Sequence, residues 1–91
     1  MTNSYYEQVE KPRNIMIQSL RDNKAIFAVA RHYKYGDERD VEVHEFKSKK
    51  ALNDYYREIK SWLKADKGCS DKWSLVVEFS DGRILRGNID C

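Results

Sequence analysis

The stretch V-V-E-F-S-D-G-R-I-L-R-G-N-I-D-C, from Val76 to Cys91, decides the fold. Apolar and polar residues alternate before Asp81-Gly82 and again after it as far as Ile89, as in two half-buried strands. Asp-Gly between two such runs predicts a tight hairpin in which both central residues have positive φ. A phosphate-binding loop would instead need its glycines to lead into a helix. The stretch therefore predicts a turn, with Gly87 marking a bulge or a close contact.

An amphipathic helix is predicted before this hairpin. Ser48 is a suitable N-cap, because its hydroxyl can accept a hydrogen bond from a first-turn amide, and the helix is expected to run to about Asp66. Its apolar residues recur every three or four positions and form one wide stripe that must lie on a sheet. The stripe consists of Leu52, Tyr55, Tyr56, Ile59, Trp62 and Leu63.

A second hairpin is predicted before the helix. The run A-I-F-A-V-A-R-H-Y-K-Y, residues 25–35, is rich in β-forming residues, and R-D-V-E-V-H-E-F, residues 39–46, alternates strictly. A turn centred on Gly36-Asp37 would place three pairs of residues opposite one another. These pairs are Tyr33 with Asp40, Arg31 with Glu42, and Ala30 with Val43.

The beginning of the chain has a weaker pattern. Residues 1–12 have no sustained apolar period and end at Pro12, so they are expected to form a flexible arm or a short helix. Ile15 to Leu20 reads as a strand joined to the next by an Asp22-Asn23 turn, although a short helix fits the same residues. The prediction is a single α+β domain over residues 13–91. It has an antiparallel sheet of four or five strands with one long helix packed on one face, in the order β-β-β-α-β-β.

Length and composition limit the classes of function. A chain of 91 residues has room for one modest core but not for a deep cofactor cleft, so any ligand site is expected on the surface. A net charge of +2, with 35% charged residues, is too balanced to indicate nucleic-acid binding by itself. The sequence shows no signal peptide or membrane-spanning run, and Cys69 and Cys91 are far apart, which predicts a reduced cytoplasmic location.

No group of residues indicates catalysis or metal binding. In the predicted hairpin His32 and His44 fall on opposite faces, so they would not act together. A zinc site made from them and the two cysteines would need four scattered ligands with no local pair. Asp40 and Glu42 are expected to be surface charges, because no concave pocket is predicted that would shift their pKa values. We therefore expect no enzymatic activity, no cofactor and no metal.

An acidic ridge is predicted along the turn and second strand of the first hairpin, comprising Asp37, Glu38, Asp40, Glu42 and Glu45. Alternate residues of a strand lie about 6.8 Å apart, so carboxylates there could imitate neighbouring phosphates of DNA. The alternative is a charged sheet edge that prevents unwanted strand pairing. The residues predicted to contact a partner protein are Tyr33, Tyr35, Asp37, Glu38, Asp40 and Glu42.

A basic stripe is predicted on the opposite side of the helix from the apolar stripe. Arg57, Lys60 and Lys64 are nearly in line and could follow the phosphates of a nucleic acid. Asp54 and Glu58 dilute this charge, and a solvated helix surface is the alternative. The stripe makes an accessory nucleic-acid-binding module the alternative function.

The last hairpin carries one set of spaced residues: Leu75, Phe79, Asp81, Gly82, Leu85, Gly87, Ile89 and Asp90. The helix and this set of residues together resemble one of the large polyvalent-protein-associated domains, small modules of giant phage and conjugative-element proteins. The likeness covers residues 44–91, with Leu85 where the pattern carries an aromatic residue and Asn88 where it carries an arginine. It implies a phage or mobile-element origin but supplies no catalytic residues. The expected function is non-enzymatic inhibition of a host defence or nucleic-acid-processing complex, most sharply of anti-CRISPR type, by a monomer or homodimer.

Overall fold

The computed structural model describes residues 6–34, 36–63 and 74–89, which form an antiparallel sheet with a helix on each face. The elements are a π-helical segment (Tyr6–Glu10), α1 (Lys11–Asp22), β1 (Ile26–Lys34), β2 (Asp37–Phe46), α2 (Lys49–Trp62), β3 (Ser74–Phe79) and β4 (Ile84–Gly87). The strand order is β2-β1-β3-β4. The predicted α+β class is confirmed. Within the described residues no helix is long and apolar enough to cross a membrane.

Helix α2 covers one face of the sheet. Ser48 caps it as predicted, because its side-chain oxygen accepts a hydrogen bond of 3.1 Å from the Ala51 N–H. The helix ends at Trp62, where Leu63 turns to extended backbone, so the prediction that it runs to about Asp66 is wrong. The core beneath it is one cluster of buried side chains, formed by Ala28, Ala30, Leu52, Ile59, Leu75, Val77 and Phe79.

Helix α1 covers the other face, so for Ile15–Leu20 the strand interpretation is wrong and the alternative of a helix is confirmed. Ile17 and Leu20 are buried, whereas Ile15 and Met16 are exposed, so burial follows helical spacing rather than alternation. The two buried residues pack with Phe27, Val29 and Val41 of the sheet. Pro12 lies in the first turn of α1, where its missing N–H leaves no hydrogen bond unmade, so it does not stop the helix. The division of the chain at residue 12 stays a prediction.

The Asp22-Asn23 signal ends this helix instead of joining two strands. The Ala25 N–H donates to the Leu20 carbonyl at 2.8 Å and the Lys24 N–H donates to the Arg21 carbonyl at 3.0 Å. Lys24 has φ of 56°, and this combination is the Schellman ending of a helix. Glycine usually occupies that left-handed position, because a side chain with a Cβ is strained there.

Replacing Lys24 with glycine is therefore expected to stabilise the protein by about 0.5 kcal/mol, since relief of strain exceeds the added entropy of the unfolded chain. Urea denaturation monitored by circular dichroism measures the change. Lys34→Gly, within β1 and without the positive φ, is the control and should destabilise. A Lys24→Gly protein less stable than wild type would show that the Lys24 side chain contributes more than its backbone strain removes.

The β3–β4 hairpin forms as predicted, but with a different turn. The Phe79 N–H donates to the Arg83 carbonyl and the Gly82 N–H donates to the Phe79 carbonyl, both at 2.9 Å, which defines a three-residue loop. Gly82 has φ of 97°, whereas Asp81 does not have positive φ, so the expected two-residue turn with two positive φ values is wrong. Gly87 lies opposite Leu75 without a register shift, so the bulge is wrong, and the alternative of a close contact at Gly87 stays a prediction.

Asp81 fixes this turn through its carboxylate. Its oxygens accept hydrogen bonds from the Arg83 backbone N–H at 3.2 Å, from Arg83 Nε at 2.8 Å and from Lys49 Nζ at 3.3 Å. These contacts, with those to the Arg83 side chain the largest, lower the pKa of Asp81 from its usual value to about 2. Because the folded-state pKa is the lower one, the resulting stability is present above about pH 4 and is lost as the pH falls towards 2.

Asp81→Asn is accordingly expected to lower the free energy of unfolding by about 1 kcal/mol at pH 7, after allowance for screening by water at this surface turn. Asparagine retains an oxygen for the Arg83 N–H, so the substitution removes mainly the charge. Urea denaturation at several pH values should show the difference shrinking between pH 4 and pH 2. Asp37→Asn, in the other hairpin, is the control. A difference that does not change with pH would mean that the charge of Asp81 is not its cause.

Candidate functional site

The pairing of β1 with β2 places two histidines on one face of the sheet. The observed pairs include Val29 with Val43 and Ala30 with Glu42, one residue away from the predicted register, and a bulge lies between His32 and Tyr33. A shift of one residue moves every side chain of a strand to the other face relative to its partner. The expectation that His32 and His44 lie on opposite faces is therefore wrong.

Both histidines contact the same carboxylate. His32 Nε2 lies 3.1 Å from Glu42 Oε2, and His44 Nε2 lies 3.6 Å from Glu42 Oε1. Glu42 is thus held between two imidazole rings on the face that α2 covers. Each ring directs its Nε2 atom at Glu42, so neither presents that nitrogen to a third group.

A groove opens between this histidine-glutamate group and α2. Its volume is about 380 Å³, and apolar atoms form most of its wall. From α2 it receives Tyr55, Glu58 and Trp62, whose spacing of three and four residues aligns them on one side of the helix. Tyr55 packs against His44, with ring centres 5.1 Å apart. The expectation that the protein has no concave site is wrong.

The α2 side of the groove ends at an exposed tryptophan. Trp62 is 63% exposed although it belongs to the predicted apolar stripe. Ile59, three residues earlier, is buried in the core. The Trp62 indole lines the groove and is not part of the core beneath the helix. A large aromatic surface is therefore accessible at the site.

Two carboxylates act on the groove. The pKa of Tyr55 is raised above its usual value, first by burial and then by the negative charges of Glu42 and Glu58. No lysine or arginine is among the described residues that line the groove. The site therefore places the two carboxylates of Glu42 and Glu58 beside the aromatic rings of Tyr55 and Trp62. This arrangement favours a cation and disfavours a phosphate group.

No group of three or more potential ligands in the described part of the chain is arranged to hold a metal ion. Histidine and carboxylate are common metal ligands, but here the imidazole Nε2 atoms and the Glu42 oxygens contact each other. Cys69 and Cys91, the other residues of the zinc hypothesis, lie outside the described residues.

The residues of the predicted acidic ridge differ in their contacts with the rest of the protein. Glu38 lies 3.5 Å from Arg31, and Asp40 lies 2.8 Å from Arg13 of α1, whereas Glu42 faces the groove on the α2 side. Asp40 and Glu42 are two residues apart in the regular part of the β1–β2 register, and Asp40 is already paired with Arg13, so the imitation of phosphates by these two residues stays a prediction. Among the other predicted partner contacts Tyr33 is half-buried, Asp37 is exposed in the turn region, and Tyr35 lies outside the described residues.

The basic stripe of α2 is partly neutralised by its own helix. Asp54 lies between Lys50 and Arg57 and contacts both, with Lys50 Nζ at 2.9 Å. These contacts lower the pKa of Asp54 below its usual value, and the hydrogen bond from Lys50 is the largest cause. Lys60 is exposed, and Lys64 lies outside the described residues.

The sequence prediction missed Tyr55, Glu58 and Trp62 as site residues because they were divided between an apolar stripe and a polar side. Glu58 follows Tyr55 by three residues and precedes Trp62 by four, so all three were already on one line of the helix. That spacing was the signal available in the sequence. The spacing could not show that these helix residues face Glu42 and the two histidines, because that depends on the strand register.

The chain matches no protein-family model, no curated protein and no solved structure. The resemblance of residues 44–91 to a polyvalent-protein-associated domain therefore stays a prediction from the motif.

Proposed function

We propose that this domain is a non-enzymatic binding protein that engages a partner protein through the groove between β2 and α2. The observation that carries the proposal is the position of Trp62, which leaves a large aromatic side chain accessible beside Glu58 and the half-buried Tyr55. Tryptophan and tyrosine contribute more than most residues to the binding energy of protein interfaces. Edge strand β2 borders the same groove and extends the available surface.

Binding is better supported than catalysis by the arrangement of the titratable groups. A general base must lie within reach of the proton that it removes, with a third group orienting it. Here Glu42 contacts the Nε2 atom of both imidazoles, and no serine, threonine or cysteine is among the described residues that line the groove. The open groove also leaves the histidines without an enclosed, water-free space in which a reaction would be favoured.

The biological role that we propose is inhibition of a host defence or nucleic-acid-processing complex by a phage or mobile-element protein in the host cytoplasm, with anti-CRISPR activity as the sharpest form. Its support is the resemblance of residues 44–91 together with an accessible protein-binding groove. The alternative of nucleic-acid binding through Arg57, Lys60 and Lys64 has less support, because Asp54 contacts Arg57.

Affinity capture from host lysate followed by mass spectrometry tests the proposal. Wild type should retain a defence or nucleic-acid-processing complex, and Trp62→Ala should lose it. Met16→Ala is the matched control, because Met16 is an exposed apolar residue on the opposite helix and its substitution should leave capture unchanged. Recovery of no such complex, or equal loss with both variants, would contradict the proposal. A salt-sensitive gel shift with DNA or RNA would instead support the alternative function.

A further inference from the structure

We infer that the groove binds the side chain of an arginine presented by the partner, an inference that rests on the proposed function. The inference combines three features of the described residues: a cavity of suitable size, aromatic surface in its wall, and two carboxylates, Glu42 and Glu58, that no described lysine or arginine contacts. Together they specify the chemistry of the occupant more narrowly than the groove alone.

The size of the groove suits one long side chain. A volume of about 380 Å³ is at the lower end of the range for small-ligand sites, about 300 to 1,000 Å³. Its wall is mainly apolar, which suits the methylene stem of an arginine or a lysine. The charged end of such a side chain would then reach the polar groups of the site.

The carboxylates of the groove are complementary to a cation. Glu42 is contacted only by imidazoles in the ion pairs of the groove, and Glu58 lies on the exposed side of α2. Elsewhere on the surface, the carboxylates of Asp40, Asp54 and Asp81 are each paired with an arginine or lysine of the protein. Glu42 differs from these three carboxylates, because imidazole rings contact it and no described arginine or lysine does.

The aromatic residues favour arginine over lysine. A guanidinium group is planar, stacks on aromatic rings and can donate two parallel hydrogen bonds to one carboxylate, whereas an ammonium group is a compact, strongly hydrated charge. The protein already makes one such contact, because the Arg83 guanidinium carbon lies 4.3 Å from the centre of the Tyr56 ring. Trp62, whose indole is the most favourable ring for a cation, is accessible for an equivalent contact with a residue from outside.

Four short blocked peptides that differ at one position test the inference. The variable residue is arginine, lysine, citrulline or norleucine, and binding is followed through the NMR signals of the Trp62 indole N–H and the backbone amides of α2. The arginine peptide is expected to bind at millimolar concentration or below, and the other three more weakly. Citrulline has the shape of arginine without its charge, and norleucine tests a purely apolar occupant.

Two substitutions assign the binding to this groove. Glu58→Gln and Trp62→Ala are each expected to weaken binding of the arginine peptide about 5-fold, by removing a charge and an aromatic face respectively. Glu45→Gln is the matched control, since Glu45 is an exposed carboxylate on the opposite face of β2, and it should leave the affinity unchanged. Both helix residues are exposed, so the variants should fold, which far-UV circular dichroism verifies.

Equal affinity for the arginine and citrulline peptides, or for the arginine and norleucine peptides, would overturn the inference, as would equal affinity for arginine and lysine. Absence of arginine binding at millimolar concentration would also overturn it. Arginine binding without capture of a host complex would overturn the proposed function and leave the arginine site standing. Capture that depends on Trp62 without arginine binding would overturn the arginine site alone.

Discussion

Replacing Leu52 with alanine is expected to lower the free energy of unfolding by about 3 kcal/mol. Leu52 is 1% exposed and packs between α2 and the sheet in the cluster that contains Val77 and Phe79. The substitution removes buried methyl and methylene groups and leaves a cavity that a sheet held between two helices cannot easily close. Chemical denaturation in urea measures the change as a shift of the midpoint without a change of slope.

The size of this effect distinguishes a close-packed core from a loosely covered sheet. Ile15→Ala is the control, because Ile15 is 62% exposed on α1 and its substitution should change stability by no more than about 0.5 kcal/mol. A loss of less than 1 kcal/mol at Leu52 would contradict the packing of α2 on the sheet. Since Tyr55 and Trp62 project from the same helix, that result would also remove the support for the groove.

The helix and hairpin of the second half were predictable because each has one buried face. The period of the apolar residues shows directly which face is buried when only one face is covered. Leu52 and Ile59 therefore identified the buried side of α2. In the same way Leu75, Val77 and Phe79 identified the buried face of β3. The Ser48 cap and the position of the Asp81-Gly82 turn depend on local chemistry and were also predictable. The type of turn was not, since Asp-Gly fits more than one loop length.

The register of β1 and β2 could not be obtained in the same way. Phe27 to Ala30 are all buried, because β1 is covered by α1 on one side and α2 on the other. A strand that is apolar on both faces has no alternation that would fix its register against a neighbour. The strand interpretation of Ile15–Leu20 added to this error, because without α1 the sheet was expected to have a helix on one face only. The group of His32, Glu42 and His44 depends on this register, so it was not predicted.

Replacing Arg31 with methionine is expected to lower the free energy of unfolding by about 2 kcal/mol at pH 7. Arg31 of β1 contacts Glu38 of β2 and Glu78 of β3, so one guanidinium joins three strands. Its side chain is 27% exposed, which places the effect between those of surface and fully buried ion pairs. Arg86→Met is the control, because Arg86 lies on the same face opposite Val76 but is exposed.

The pH dependence of this loss follows from Glu38. Its pKa is raised above the usual value, first by burial and also by the hydrogen bond and charge of Glu10, while Arg31 acts in the opposite direction. A raised folded-state pKa means that the stability associated with neutral Glu38 is present at low pH and is lost as the pH rises through that pKa. Removing Arg31 raises the pKa further. Arg31→Met should therefore be closer to wild type in stability at pH 4 than at pH 7.

Replacing Glu38 and Glu78 with glutamine in the Arg31→Met protein distinguishes the contribution of charge to stability from that of side-chain packing. If the loss comes from carboxylates left without a cation, Arg31→Met combined with Glu38→Gln and Glu78→Gln should regain at least about half of it at pH 7. If the loss comes instead from packing of the arginine stem, the triple variant should remain as unstable as the single one. Equal stability of Arg31→Met and wild type would show that backbone pairing alone joins the three strands. The expected rescue would mean that the charge at position 31 is needed mainly because two acidic side chains from neighbouring strands converge there.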